Sequence, residues 1–94
     1  MMQVLKTTRS YSFTSAGTTA VVLTAARARL VTFQAASGNA GTVTILGVSA
    51  GTADSAGHVL TAGTFSPAYW VADLSQLAYK LSSANDTLYA VVCV

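Results

Sequence analysis

Residues 29–48, RLVTFQAASGNAGTVTILGV, constrain the fold most strongly, because apolar side chains occupy every second position in two short runs. Val31 and Phe33 alternate with polar residues in the first run, and Val43 and Ile45 do so in the second. A two-residue period places alternate side chains on opposite faces of a β-strand. The SGNAG between them tolerates positive φ, so this stretch predicts an antiparallel hairpin at the centre of the fold.

The rest of the chain repeats this pattern of short apolar runs separated by small residues. Further strands are expected around residues 10–14, 18–25, 58–60, 64–72, 78–81 and 87–94, with a small-residue loop at 51–57. Pro67 cannot donate to a ladder, so its segment is expected at a sheet edge or a bulge. Asp73 is expected to cap a single helical turn. Seven or eight short strands predict an all-β sandwich or barrel.

The composition favours assembly. Hydrophobic residues make up 52% of the 94 residues and charged residues 9%, against about 25% charged in an average soluble domain. The surface must therefore be covered largely by the thirteen Thr, the ten Ser and small residues. Such a surface has little charge repulsion to keep copies apart, and it suits contact with other protein.

The charges are few and scattered. The net charge of +2 arises from five basic and three acidic residues, and only Arg27 and Arg29 lie close together. A nucleic-acid binder usually carries a clustered basic face, so no nucleic-acid partner is expected. Arg27 and Arg29 are interpreted as a solvated pair, with carboxylates on a neighbouring protein as the alternative. No run reaches 18 apolar residues and the N-terminus lacks an apolar signal-peptide region, which predicts a protein made in a cytoplasm without a membrane partner.

Catalytic chemistry has few candidate groups. One His, one Cys and three Asp leave only Asp54, Ser55 and His58 as a conceivable triad, and they fall in one predicted loop. His58 is therefore interpreted as a solvated side chain, and the protein as a non-enzyme without a metal or other cofactor. The single Cys93 excludes an intramolecular disulfide.

Three places are candidates for contacts with other proteins. The last strand is apolar on both faces, so one face needs a cover, either from the same chain or from a neighbouring subunit. Tyr69 and Trp70, beside Pro67, form a platform for sugar or protein, or pack with one ring in the core and the other at its rim. The predicted contact residues are Met2, Val4 and Leu5 of the arm, Tyr69 and Trp70, and Leu88, Val92 and Val94 on the outer face of the last strand.

The order of elements resembles that of small β-sandwich proteins of tailed bacteriophage virions. The resemblance covers residues 11–94 and lies in Arg-Leu-Val-Thr-Phe-Gln (29–34), the GNAG turn, TVTILG (42–47), Gly-His-Val-Leu (57–60), Asp-Leu-Ser (73–75) before Ala-Tyr (78–79), and the terminal hydrophobic strand. These proteins decorate heads as cement proteins or occur as modules of tails and fibres. The resemblance implies a jelly-roll-like sandwich, self-association and binding to a capsid lattice.

The resulting hypothesis is a small antiparallel β-sandwich, residues 10–94, preceded by an N-terminal arm, residues 1–9. Its expected function is that of a phage capsid decoration (cement) protein on the virion surface. Its expected partners are the major capsid protein and copies of itself, forming a homo-oligomer; self-association in the family it resembles is often around a threefold axis, as in a trimer. The alternative is a receptor- or glycan-binding module of a phage tail or fibre.

Overall fold

The computed structural model describes residues 8–94 and shows an all-β protein, as the sequence predicts. Within that range there are eight strands and one turn of 3₁₀ helix, Leu74–Gln76. The strands are β1 (Thr8–Thr14), β2 (Val21–Val22), β3 (Leu30–Ala35), β4 (Val43–Ser49), β5 (Thr52–Leu60), β6 (Tyr69–Trp70), β7 (Leu77–Leu81) and β8 (Thr87–Cys93).

The strands form two four-stranded antiparallel sheets. Sheet 1 has the order β1-β8-β3-β6 and sheet 2 the order β2-β7-β4-β5. Strands β1 and β8, β2 and β7, β3 and β6, and β4 and β5 are paired, so the first half of the chain pairs with the second half along its length. One long hairpin rolled into two layers produces this arrangement, which is that of a jelly roll.

Each sheet turns one side of its strands to the core between them. In β3 and β8 the buried positions recur at every second residue, as the strand period requires. The rings of Tyr11 and Phe13 on β1 stack with their centroids 6.0 Å apart. The ring centroid of Phe13 also lies 5.9 Å from that of Tyr79 in sheet 2. The largest fully buried side chains are Phe33, Leu60, Leu74, Leu81, Leu88, Val31, Val43 and Val92.

The predicted hairpin of residues 29–48 is wrong in its pairing, although both of its strands exist. β3 lies in sheet 1 between β8 and β6, and β4 lies in sheet 2 between β7 and β5. Both edges of each strand are therefore occupied by other strands. Alternation of apolar residues determines which face a strand buries, but it does not select the neighbour. Residues 36–42 cross from one sheet to the other.

The crossing segment is held by the turn between β7 and β8. The buried carboxylate of Asp86 accepts hydrogen bonds from the backbone N–H of Ala40 at 3.0 Å and of Gly41 at 2.8 Å. The side chain of Asn39 accepts from the N–H of Thr87 and donates to its carbonyl, both at 2.8 Å. These contacts satisfy backbone groups that the crossing segment cannot pair within a sheet.

Three other local predictions differ from the structure. Of the strand expected over 64–72, only Tyr69–Trp70 is a strand. The strand expected over 18–25 contains only Val21–Val22, and the loop expected over 51–57 belongs largely to β5. β4 and β5 form a hairpin through Ala50 and Gly51, whose φ values are 52° and 79°. Positive φ at both central residues is typical of tight hairpin turns. Beyond the turn, residues 54–56 bulge opposite Gly47 alone.

The edge position predicted for Pro67 is confirmed. The flanking Ser66 joins this segment to β3, since its N–H donates to the carbonyl of Phe33 at 2.8 Å and its hydroxyl accepts from the N–H of Phe33 at 2.9 Å. The segment thus runs along the outer edge of sheet 1, where the missing N–H of proline costs the sheet no hydrogen bond.

The predicted cap at Asp73 is also confirmed. Its carboxylate accepts from the N–H of Ser75 at 2.9 Å, from the Ser75 hydroxyl at 2.8 Å and from the N–H of Ala26 at 3.2 Å. The Gln76 side chain bonds back to the N–H of Asp73, which completes a capping box. The hydrogen bonds from Ser75 hold the pKa of the Asp73 carboxyl below its ordinary value.

This lowered pKa predicts a pH-dependent contribution to stability. The folded state favours the charged Asp73, so its contribution is present above the ordinary carboxyl pKa and is lost as the pH falls through the folded pKa. We expect stability below about pH 4 to fall more steeply for the wild type than for Asp73→Asn, whose amide oxygen still caps but does not titrate. Urea unfolding from neutral pH to acid measures this difference. Parallel curves for the two proteins would contradict it.

Asp86 is expected to be a determinant of stability. Replacing it in Asp86→Ala leaves two backbone N–H groups without acceptors, which is expected to lower the free energy of unfolding by about 1–3 kcal/mol. Asp86→Asn keeps one side-chain oxygen acceptor and is expected to lie between the wild type and the alanine variant. Denaturant unfolding measures both values, and equal stability of all three proteins would show that the crossing segment is held by other contacts.

Candidate protein interface

In the part of the chain that the structure describes, the outer face of sheet 1 is an uncharged surface of four rows of side chains, three of which hold its exposed apolar residues. Inward-facing residues alternate with these outward ones along β1, β8 and β3. The strand register places them as follows: Thr8, Cys93, Leu30 and Trp70 in the first row, Ser10, Val91 and Thr32 in the second, and Ser12, Tyr89, Gln34 and Phe65 in the third. None of these residues is Asp, Glu, Lys or Arg.

Four large apolar side chains of this face are exposed. Trp70 is 72% exposed, Phe65 67%, Tyr89 46% and Val91 45%. A shallow depression of about 70 Å³ lies among Phe65, Tyr89, Val91 and the β3 residues beneath them. Aromatic side chains around a depression are typical of the centre of a protein interface, where charged residues are depleted.

The adjacent aromatic residues Tyr69 and Trp70, at the edge of sheet 1, differ in burial. Tyr69 is half-buried, with its ring centroid 5.9 Å from that of Phe33. Burial raises the pKa of the Tyr69 hydroxyl. The two-residue period then directs Trp70 outward. Of the two arrangements considered from the sequence, one ring in the core and the other exposed is the one observed.

The predicted outer face of the last strand is the wrong face. Leu88 and Val92 are fully buried in the core, and Val94 is half-buried against it. The outward residues of β8 are Tyr89 and Val91. Both sets are apolar, so alternation alone could not distinguish the inner from the outer face. Buried Leu88 and Val92 are not available to a partner in this fold.

The remaining predicted contact residues, Met2, Val4 and Leu5, lie outside the described residues, and their role stays a prediction. Sequence reasoning missed Phe65, Tyr89 and Val91 as surface residues. The signal for Tyr89 was present, since a tyrosine among alternating aliphatic residues tends to lie where its hydroxyl reaches water.

The residues considered for catalysis do not form a site. Asp54 accepts a hydrogen bond from the Ser49 hydroxyl at 2.8 Å, while Ser55 and His58 are exposed on β5. Within residues 8–94, no group of three or more His, Cys or acidic side chains is placed to bind a metal. In the same range, no helix has the length and apolar character needed to span a bilayer.

Comparisons of the chain with protein-family models, curated proteins and solved structures found no match. The assignment of a site therefore depends on the geometry of this chain alone. An uncharged sheet face with exposed aromatic residues suits contact with another protein surface.

The orientation of β8 predicts a large loss of stability for a substitution on its inner face and almost none for one on its outer face. Leu88→Ala removes buried methyl groups and is expected to lower the free energy of unfolding by about 2–5 kcal/mol. Val91→Thr keeps the branched shape on an exposed position and is expected to change it by less than about 0.5 kcal/mol. Denaturant unfolding of the two variants tests the assignment. A larger loss for Val91→Thr than for Leu88→Ala would mean that the inner and outer faces are reversed.

Proposed function

We propose that this protein is a non-enzymatic structural protein that binds other protein through the outer face of sheet 1, as a capsid decoration protein on the head of a tailed bacteriophage. The observation that carries the proposal is the exposure of Phe65, Trp70, Tyr89 and Val91 on a face whose described residues include no charged side chain. The jelly-roll fold supports it, since viral capsid domains use this fold. A fold shared by many functions is the weaker of the two supports.

Binding through this face has a low desolvation cost. Removal of apolar surface from water contributes about 25 cal/mol per Å². None of the residues that the structure describes on this face is ionised, so none of them loses the hydration of a charge when a partner covers it. Its polar members are hydroxyl and amide side chains, which exchange water for hydrogen bonds with a partner at little net cost.

The size of the face favours repeated contacts over a single tight one. The strands β1, β8, β3 and β6 hold 7, 7, 6 and 2 residues, so at about 4.8 Å between strands and about 3.3 Å per residue the face presents roughly 350 Å². A stable interface of standard size buries about 800 Å² on each partner. Additional surface or several linked contacts are thus needed, and a lattice of identical capsid subunits or an oligomer of this chain supplies them. The proposed partners are the major capsid protein and further copies of this chain.

The proposed action on the particle is mass-action linkage. A protein that binds the assembled lattice but not the free subunits stabilises the lattice by a free energy that grows with the logarithm of its free concentration relative to its dissociation constant. Such a protein needs shape and apolar surface and no catalytic group. Its site of action in this proposal is the outside of the virion.

Trp70 supports a second candidate function, a glycan-binding module of a tail or fibre. Its indole ring is 72% exposed at the edge of sheet 1. Exposed aromatic rings stack on the apolar faces of sugars and of protein side chains alike. In this candidate Trp70→Ala abolishes binding to host-surface glycans, whereas unchanged binding would exclude the candidate.

The capsid-binding proposal predicts that a charge on the outer face of sheet 1 prevents attachment. Val91→Lys is expected to weaken co-sedimentation with expanded, undecorated phage heads by at least about tenfold, because the interface must then bury an unpaired ammonium group. Val59→Lys is the matched control, since Val59 is 55% exposed on β5 of sheet 2.

Light scattering on the same variants measures self-association. An oligomer that Val91→Lys dissociates and Val59→Lys leaves intact supports this face as a contact between copies. A wild-type monomer that leaves heads undecorated, or equal effects of the two substitutions, would overturn the proposal.

A further inference from the structure

A cleft of about 320 Å³ opens beside the first residues of β1 and the end of β8. It is lined by Arg9, Tyr11, Ala26, Arg27 and Val94. The two arginines are far apart in sequence, and the fold brings them to one cleft. It adjoins the first row of the outer face of sheet 1, because Thr8 and Cys93 of that row precede Arg9 and Val94.

Strand register explains the position of Arg9. Arg9 pairs with Val92, which faces the core, so alternation directs Arg9 to the inner side of sheet 1 with the half-buried Tyr11. This position lies near the end of the sandwich, and Arg9 is exposed there. The cleft is thus the open end of the core.

Backbone hydrogen bonds hold the opposite wall. The N–H of Leu74 donates to the carbonyl of Ala26 at 2.9 Å, and the N–H of Ala28 donates to that of Ala72 at 2.9 Å. A backbone bridge also joins Arg27 to Asp73. Arg27 is therefore presented from a fixed loop, although its own side chain is exposed.

The described side chains that line the cleft favour an anion. Its two arginines are positively charged, and none of the other described lining residues is acidic. The Asp73 carboxylate, joined to this wall through the backbone bridge to Arg27, accepts hydrogen bonds from Ala26 and Ser75 and caps the 3₁₀ turn. Two arginines thus line the cleft together with Tyr11, Ala26 and Val94.

We propose that this cleft binds a carboxylate-bearing segment of a partner protein. A guanidinium presents donors in a planar fork that matches a carboxylate in a bidentate manner. The ring of Tyr11 and the side chains of Ala26 and Val94 provide an apolar wall for the aliphatic part of an acidic side chain. A cleft of this volume lies at the lower end of the range for ligand pockets, about 300–1,000 Å³, which suits one or two residues.

A nucleic acid fits the cleft less well than an acidic protein segment does. Nucleic-acid binding depends on neutralising many phosphates along a backbone. This cleft offers two arginines, and the described basic residues outside it, Arg29 and Lys80, do not line it. The inference rests on the proposed function only in that the segment belongs to a partner protein. A peptide titration tests the cleft without that partner.

The test is a titration of the ¹⁵N-labelled full chain with the capped peptide acetyl-Gly-Glu-Asp-Gly-amide, followed by amide chemical shifts at low salt. The amide analogue acetyl-Gly-Gln-Asn-Gly-amide and inorganic phosphate are the two comparison probes. We expect saturable shifts at Arg9, Tyr11 and Arg27 with the acidic peptide, weakened by added salt. The amide analogue is expected to bind at least about tenfold more weakly.

Variants assign the binding to the cleft. Arg9→Gln and Arg27→Gln are each expected to raise the dissociation constant of the acidic peptide by about tenfold, because each removes one charge-assisted contact. Arg29→Gln makes the same change in net charge outside the cleft and is expected to change the constant by less than about twofold. Arg9→Lys keeps the charge without the fork and is expected to give an intermediate value. Unchanged shifts elsewhere in the spectrum show that each variant is folded.

Four results would overturn the proposal. These are the absence of saturable shifts at the cleft, equal binding of the amide analogue, equal weakening by Arg29→Gln, and phosphate binding as tight as that of the peptide. None of them bears on attachment through the outer face of sheet 1. Conversely, a failure of Val91→Lys to affect attachment leaves the peptide titration intact.

Discussion

Pairing between the two halves of the chain is the constraint on which the rest of this structure depends. Each strand of the first half lies beside its counterpart in the second half, from β1 with β8 at the open end to β4 with β5 at the turn. Once this double ribbon folds over, β8 and β7 also pair with β3 and β4, and two layers close on one core. Hydrogen bonds made by the side chains of Asp86 and Asn39 hold the segment that passes from one layer to the other.

The sequence predicted the elements of this fold better than their partners. Alternation identified β3, β4 and β8, and the chemistry of Pro67 and Asp73 identified an edge and a cap, because these signals are local. The pairing of β3 and β4 was wrong, since neighbour choice depends on contacts between residues distant in sequence. The loop expected over 51–57 became strand because pairing with β4 outweighs the weak strand propensity of Gly, Ala and Ser.

The candidate site was predicted only in part, for related reasons. The apolar character of both faces of β8 was visible, but the inner face could not be told from the outer one until Leu88 and Val92 were seen opposite the core. Trp70 was identified because an aromatic residue near a proline at a sheet edge packs either in the core or at its exposed rim. Nothing in the sequence indicated that Arg9 and Arg27 line the same cleft. Their proximity depends on how the first residues of β1 are placed relative to the loop that carries Arg27.

The bulge of β5 opposite Gly47 bears on how this chain avoids misassembly. β5 is the longest strand within residues 8–94, it lies at the edge of sheet 2, and His58 and Asp54 are its only ionisable residues. Long edges with little charge accept strands from other molecules and are starting points for fibrils. Residues 54–56 lie opposite Gly47 alone, and the two extra residues break the continuous ladder that such a strand would require. In the proposed function, contacts are made by the side chains of sheet 1, while the backbone edge of β5 is a poor template for growth.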